Sequence, residues 1–512
     1  MIAVVDTRAM READRQTIEQ LGVPSLVLME QAATAVLAAV EELVQPEDSV
    51  LVLCGRGNNG GDGLALARLR HAAAGSVEVL LLAHPGELVG DAAKQWELCR
   101  RFGVPCGVLQ EEGVEGMEQR LQRARVVVDA VYGTGLDRPL SGLAAELVAR
   151  VNEAKGTVVA VDIPSGLAGS SGKLLGPAVR ADLTVTFGAL KWAHVLAPAA
   201  LFCGEVRVAD IGIPRWLLHQ VAGGFLLEAE DVARWLVPRV ADAHKGHFGH
   251  LLVVAGRLGR AGAAALAARA GVVAGAGLVT VATPQGAVTP IQAQVPEAMV
   301  DPLPAGEDGS AAGHGIADSL GKATAVAVGP GLGLGEGPKR LLDSILQVWD
   351  GPLLLDADAL TLLAGQLSRL RDRRAPTVLT PHPGELARLL GITTAEVQED
   401  RPGWAQKAAE LSGATVLLKG FHTLVATPGE PLWINPTGTP GLASGGAGDV
   451  LTGVVGALLA QGVEGRRAAA LGAYLHGRAA ELAGRRFGGA VPAGAVCRWL
   501  VNAEKELRRM GR

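Results

Sequence analysis

A chain of 512 residues is too long for one ordinary hydrophobic core, so it divides into two or more domains. Aromatic residues make up only 3% while glycine reaches 69, a composition suited to parallel sheets under tightly packed helices and so to the α/β class. Lys and Arg total 47 against 52 for Asp and Glu, and with no long basic run this argues against nucleic acid as a partner. Five cysteines without a CxxC pair argue against a disulfide framework or a structural zinc site. The N-terminus carries Asp6, Arg8, Arg11, Glu12, Asp14 and Arg15 with no apolar leader, and no uncharged run is long enough to span a bilayer. The expectation is a cytoplasmic protein without a membrane partner.

In chain order, apolar runs at Val50 to Cys54, Val77 to Leu82, Val126 to Asp129, Val158 to Asp162, Leu183 to Phe187 and Val206 to Val208 read as strands, with helical segments between them. The first opens into GRGNNGGDG, Gly55 to Gly63, which fits GxGxxG. It does not read as an ordinary pyrophosphate loop. The next strand ends in Ala83, His84 and Pro85 with no acid for a ribose hydroxyl, and Asp62 puts negative charge where such a loop avoids it. Two further loops, DAVYGTGLDRP from Asp129 to Pro139 and DIPSG from Asp162 to Gly166, also stand at strand ends. Asn59, Asp129 and Ser165 supply hard oxygen ligands for a cation, and Asp162 is a candidate acid or base. A connector over Ile211 to Gly224 places the domain boundary near Gly223, giving domains 1–222 and 223–512.

The second half repeats the strand-loop-helix rhythm at Leu251 to Ala255, Leu278 to Ala282, Ala325 to Val328, Leu353 to Asp356, Val378 to Thr380 and Val416 to Lys419. The loops are GRAGAA from Gly259, GPGLG from Gly329, DADAL from Asp356, TPHPGE from Thr380 and KGFHT, Lys419 to Thr423, read as the end of a strand. Lys419 can reach a phosphate as a point charge and Thr423 can hydrogen-bond one. Walker A is absent. The most informative stretch is NPTGTPGLASGGAGDVLTG, Asn435 to Gly453, where glycines lead into an apolar helix with Asp449 at its mouth. Backbone amides there favour a phosphate, and a lone acid beside it suits a base that takes a proton from an attacking hydroxyl.

Together these motifs resemble one family, the bifunctional NAD(P)H-hydrate repair proteins, in which an epimerase domain is fused to an ADP- or ATP-dependent dehydratase related to ribokinase-like kinases. NNGGDG, DAVYGTG and DIPSG look like the epimerase signatures, and GPGLG, DADAL, TPHPGE, KGFHT and the GGAGD segment like those of the dehydratase, in the family's order over nearly the whole chain. Leu442 and Ser444 stand where Met and Thr are more usual, and Thr361 where Asn is common. The resemblance implies two three-layer α/β/α domains, the first Rossmann-like and the second ribokinase-like. It implies that Asn58, Asn59, Gly60, Gly61, Asp62, Gly133, Thr134, Gly135, Leu136, Asp137, Arg138, Pro139 and Asp162 bind the hydrated dinucleotide, with K⁺ at Asn59, Asp129 and Ser165. In the second domain it implies that Ala263, Gly331, His382 and Asp449 face the hydrate, while Lys419, Gly420, Phe421, His422, Thr423 and Gly448 hold ADP or ATP.

On this reading Asp449 is the base of a phosphoryl transfer assisted by Mg²⁺, and Asp162 the acid–base group of R/S epimerisation. The partners are the NADH and NADPH hydrates and an adenine nucleotide, and the chain is expected to form a homo-oligomer. Two competing readings are a ribokinase-like small-molecule kinase with an N-terminal nucleotide-binding module, and a nucleotide-sensing or RNA-binding module.

Overall fold

The computed structural model describes residues 1–510. The chain divides into two compact units, one over Ile2–Gly224 and the other, with Met1, from Phe225 onward. Each is a parallel sheet with helices packed on it, as the apolar strand runs require.

The first unit holds a seven-stranded sheet in the order Cys106–Val108, Val77–Leu81, Val50–Cys54, Val126–Ala130, Thr157–Val161, Leu183–Phe187 and Glu205–Ala209. Every pairing in it is parallel. The strands Val50–Cys54, Val126–Ala130 and Leu183–Phe187 are buried along their whole length. Chain order reverses between Val50–Cys54 and Val126–Ala130, the Rossmann-like arrangement in which ligands enter a crevice at the strand ends. Gly55 and Gly60 make that crevice possible. A Cβ on Gly55 would lie 2.0 Å from the Val131 carbonyl oxygen, and one on Gly60 1.9 Å from that of Gly55. Ile2–Val5 and Leu190–Lys191, which are not part of this seven-stranded sheet, pair parallel with each other.

In the second unit the strands follow the order Met299–Leu303, Leu278–Pro284, His250–Val254, Ala325–Val328, Leu353–Leu355, Thr377–Leu379 and Thr415–Leu418, all parallel. Thr423–Ala426 and Leu432–Asn435 then add antiparallel. Residues 419–423 are therefore a hairpin turn. The segment does follow a strand end, as read, but the reading that placed it just before the GGAGD segment missed two short strands between them. Across the sheet the alanine-rich helix Ala261–Val273 packs against Ala447–Ala460, and a Cβ on Gly453 would meet the Ala267 carbonyl oxygen at 2.0 Å. In Ala447–Ala460 all residues but Gly448 and Asp449 are buried, so its N-terminal turn is the part left open.

Among the described residues the cysteines are all free, and no helix is long and apolar enough to cross a membrane.

Candidate functional site

At the sheet crevice of the first unit lies a cavity of about 640 Å³, the size of small-molecule sites. Asn58, Asn59, Asp62, the run from Gly133 to Arg138, and Asp162 line it. Gly60, Gly61 and Pro139 do not. Gly60 abuts Gly55, and a Cβ on Gly61 would strike Met29 Cε at 2.6 Å, so these two glycines are needed for close packing.

Asp129 and Ser165 are joined directly. The Ser165 hydroxyl donates to Asp129 Oδ1 at 2.7 Å, and the Ser165 amide donates to Oδ2 at 2.7 Å. Tyr132 N–H donates to the same hydroxyl at 2.9 Å. Asn59 lies against the next residue, with Oδ1 2.9 Å from where a Gly133 Cβ would stand, and its buried Nδ2 has no hydrogen-bond partner among the described residues. Burial pushes the Asp129 carboxyl up, and its bonds to Ser165 and the Val131 amide oppose that shift. A buried carboxylate, a hydroxyl and the Oδ1 of an amide are an oxygen set that suits a monovalent cation.

Asp162 sits at φ +64, a strained conformation for a residue with a Cβ. Its Oδ1 accepts from Lys191 Nζ at 2.6 Å and from Thr186 Oγ1 at 2.9 Å. Burial disfavours the ionised form, but the Lys191 charge and hydrogen bond outweigh it and hold the carboxyl below its usual range. His194 completes the knot: its Nδ1 accepts from the Lys191 amide at 3.0 Å, which leaves Nε2 to donate to the Asp162 carbonyl at 2.9 Å. Burial pushes this histidine down to about 4, with Lys191 adding to the effect, so it is neutral. Sequence reasoning missed Lys191, Thr186 and His194. The available signal was a single lysine within the apolar run TVTFGALKWAHV.

Asp14 was also missed as a site residue. It lines the cavity from helix Thr7–Glu19, on one face with Met10 and Ile18. Burial pushes its carboxyl up to about 6, against the pull of Lys191 and with the Asp162 charge adding to the rise. Burial pushes Asp62 well above its ordinary value, reinforced by the Asp162 and Asp14 charges.

In the second unit the strand-end loops interlock. A Cβ on Gly331 would lie 3.2 Å from that of Ala263, so these two predicted residues are neighbours. Gly333 N–H donates to Asp358 Oδ2 at 2.8 Å, tying GPGLG to DADAL. Lys419 Nζ donates to Asp356 Oδ1 at 2.9 Å and lies 3.5 Å from Glu385 Oε2, and Thr452 Oγ1 donates to Asp356 Oδ2 at 2.7 Å. Burial opposes the lysine charge, yet Asp356 and Glu385 raise its pKa. Gly448 is where the helix mouth meets this pair, since a Cβ there would stand 3.6 Å from Lys419 Nζ. Asp449, one residue on, is pushed up to about 6, mainly by burial and then by the Asp356 charge, with Lys419 opposing.

His382 caps helix Pro383–Leu390, its Nδ1 accepting from the amides of Gly384 at 3.0 Å and Glu385 at 3.3 Å. That bond leaves the proton on Nε2, on a half-exposed ring. In the hairpin turn, Arg401 donates to the carbonyls of Phe421 at 2.6 Å and His422 at 3.4 Å, and the Phe421 and His422 rings stack at 4.2 Å. Thr423 Oγ1 donates to the Gly420 carbonyl at 3.2 Å, so its hydroxyl braces the turn. Two further residues were not expected from sequence. Arg401 is buried on helix Arg401–Ser412, and His476 is buried on helix Gly465–Phe487 with Nε2 lacking a hydrogen-bond partner among the described residues, pushed down to about 4 by burial.

Residues 25–193 match the family model described as YjeF-related protein N-terminus, and residues 251–500 match the NAD(P)H-hydrate dehydratase model. The bifunctional NAD(P)H-hydrate repair enzyme of Moorella thermoacetica is 41% identical over 95% of this chain and 93% of its own length. That of Escherichia coli is 37% identical over 94% of this chain and 89% of its own. Among solved structures, an ADP/ATP-dependent NAD(P)H-hydrate dehydratase from Bacillus subtilis, co-crystallized with ATP and Mg²⁺, shares 33% identity over 55% of this chain and 97% of that one, with a TM-score of 0.48. With both models in place and relatives of this similarity along nearly its whole length, the chain belongs to the bifunctional NAD(P)H-hydrate repair enzymes.

Proposed function

We propose that the second unit removes water from the S form of hydrated NADH or NADPH at the expense of ADP or ATP, with Asp449 as the base. The observation that carries this is an acid pushed up to about 6 at the open mouth of helix Ala447–Ala460, beside a lysine already bonded to a different carboxylate. Hydroxide leaves poorly near neutral pH, and phosphorylation turns it into a good leaving group. Asp449 takes the hydroxyl proton as the oxygen attacks the terminal phosphoryl, and the amides from Gly446 to Gly448 receive the charge that develops. The ring nitrogen then expels phosphate, the neighbouring ring carbon loses a proton, and the dihydropyridine is restored. Lys419 and the turn from Gly420 to Thr423 hold the nucleotide, with Ala263, Gly331 and the Nε2–H of His382 on the hydrate side. Asp449 and Asp356 would hold Mg²⁺ through its waters, and the ion would neutralise phosphate charge.

The first unit, on this proposal, interconverts the R and S forms so that one chain clears both. The hydroxyl-bearing ring carbon is a hemiaminal, and loss of its hydroxyl leaves positive charge shared with the ring nitrogen. Asp162, held ionised by Lys191 and Thr186, is placed to stabilise that charge, and we assign it this fixed-anion part in preference to proton transfer. Asn59, Asp129 and Ser165 would hold K⁺, which would neutralise Asp129 and brace the cavity loops. The proposed setting is a reducing cytoplasm, which the free thiols of the described cysteines support, and the proposed assembly is a homo-oligomer.

The test is recovery of the reduced-nicotinamide absorbance from a mixed-epimer hydrate with Mg²⁺ and K⁺, adding ADP, ATP or neither. Full recovery that depends on one nucleotide is expected. Recovery that stops when the S form is consumed, at the uncatalysed epimerisation rate, would remove the epimerase assignment; none with either nucleotide would remove the dehydratase assignment.

A further inference from the structure

Five aspartates line the cavity of the first unit: Asp91 is bonded to Ser25 and Lys94, Asp137 is exposed, and of the remaining three, Asp14, Asp62 and Asp162, only Asp162 is held. Asp162 Oδ1 is taken by Lys191 and Thr186. The lysine has no capacity left, because its three protons go to Asp162 Oδ1, Thr186 Oγ1 at 2.9 Å and the Phe187 carbonyl at 3.0 Å. Asp14 and Asp62 are both partly buried, yet neither makes a hydrogen bond or ion pair with any described residue. A carboxylate withdrawn from water without a donor is destabilising to the fold. Two of them on one cavity wall, on separate helices, are explained by a ligand that gives them something to bind.

Resting on the epimerase reading above, we propose that Asp14 and Asp62 are the two proton-transfer residues of the epimerisation, one serving the hydroxyl that leaves and the other the water that enters. In one direction Asp62 gives its proton to the hydroxyl, the carbon–oxygen bond breaks, water departs, and the nitrogen lone pair forms a carbon–nitrogen double bond. Water adds to the opposite face of that carbon while the Asp14 carboxylate takes one of its protons, and the π pair returns to nitrogen. The reverse direction exchanges the two acids, so a single active site serves both epimers. Their environments suit the division. Burial and the Asp162 and Asp14 charges push Asp62 well above its ordinary value, which favours the form that gives a proton, whereas Asp14, flanked by Arg11 on its own helix and facing the charges of Lys191, Asp162 and Asp62, is pushed up to about 6 and is mostly ionised above that.

The experiment is made in the full-length chain on a hydrate enriched in the R form, with dehydration of the S form as an internal control of folding. Asp14→Asn is expected to lower R-to-S conversion, above the uncatalysed rate, by about 10² to 10⁴-fold while S dehydration stays within about twofold. Asp14→Ala should regain part of the lost rate with added formate, a small acid that can occupy the vacated space. Conversion by Asp14→Asn within about threefold of the parent overturns the proposal. So does a loss shared equally by Asp14→Asn and Asp14→Glu with no formate recovery, which would make Asp14 a packing residue. If the parent protein itself does not interconvert the epimers, it is the epimerase reading that fails.

Discussion

The two units solve the same electrostatic problem with the same parts and different access. Each holds a lysine bonded to a buried aspartate that also accepts from a threonine: Lys191, Asp162 and Thr186 in the first, Lys419, Asp356 and Thr452 in the second. Each also holds an aspartate without a direct lysine bond, Asp14 or Asp449, pushed up to about 6. The difference lies in the lysine. Lys191 is 1% exposed beside Asp162 at 10%, whereas Lys419 is 21% exposed over Asp356 at 2%. A sealed lysine can only fix the charge of its partner. A lysine at the mouth can also meet an incoming phosphate. The carboxylate left out of the pair is in both units the one suited to move a proton, because burial keeps its pKa near the working pH.

The largest expected effect breaks this comparison at the second unit. Asp449→Asn should lower dehydration by about 10² to 10⁴-fold with nucleotide affinity retained, as read by turnover and by equilibrium nucleotide binding. Near-parental turnover would remove Asp449 as the base. The same substitution should raise the thermal midpoint of the second unit at neutral pH. A carboxyl whose pKa is raised by folding binds more protons folded than unfolded between about 3.9 and 6, so stability falls as pH rises through that window, and the amide abolishes the penalty. A lower midpoint for Asp449→Asn would show that the carboxylate has a protein partner.

The lysine contrast gives the next prediction. Lys191→Met strands a buried anion and should destabilise the first unit by about 3–5 kcal/mol in denaturant unfolding. Lys419→Met strands Asp356, which is more deeply buried still, so it should cost comparable stability in the second unit and, because this lysine stands at the mouth, should also raise the nucleotide KM. The pair in the first unit also has a defined pH window. Because Asp162 is held below its usual range, its contribution is full above the unfolded value near 3.9 and is lost as pH falls below that value through the depressed folded one. Loss of that contribution already at pH 6 would contradict the pairing.

A third effect is kinetic. If Asp449 must be ionised to accept a proton, dehydration should rise with pH and level off above about 6. A flat profile between pH 5 and 7 would place the proton transfer elsewhere.

How much of this was legible in the sequence follows from the range of the interactions. Loop motifs such as GRGNNGGDG and DADAL announce themselves because glycines and acids are adjacent in the chain, and the β-branched runs before them mark strand ends. Pairs are different. Lys191 is 29 residues from Asp162 and Lys419 is 63 from Asp356, so which acid each lysine fixes is decided only by the packed sheet. Asp14 reads as one more charge in a polar segment until helix Thr7–Glu19 sets it in line with Met10 and Ile18 against the cavity. The turn from Lys419 to Thr423 misled for a related reason. Strands of four residues, Thr423–Ala426 and Leu432–Asn435, are too short to show a period, and their pairing with Thr415–Leu418 defines them.

The smallest effect sharpens the comparison at the proposed cation site of the first unit. Ser165→Ala removes one donor to Asp129 and the acceptor of the Tyr132 amide, but leaves the Ser165 backbone bond to Asp129 Oδ2 and the Asn59 side chain in place. The site should weaken without collapsing. About tenfold more K⁺ should be needed for half-maximal epimerisation, close to 1.4 kcal/mol in binding. Dehydration of the S form at the same K⁺ concentrations should not change, because no residue at the Asp449 mouth is touched. If both activities shifted together, K⁺ would be acting on the whole chain, and Asn59, Asp129 and Ser165 would be left as a hydrogen-bonded brace of the cavity loops.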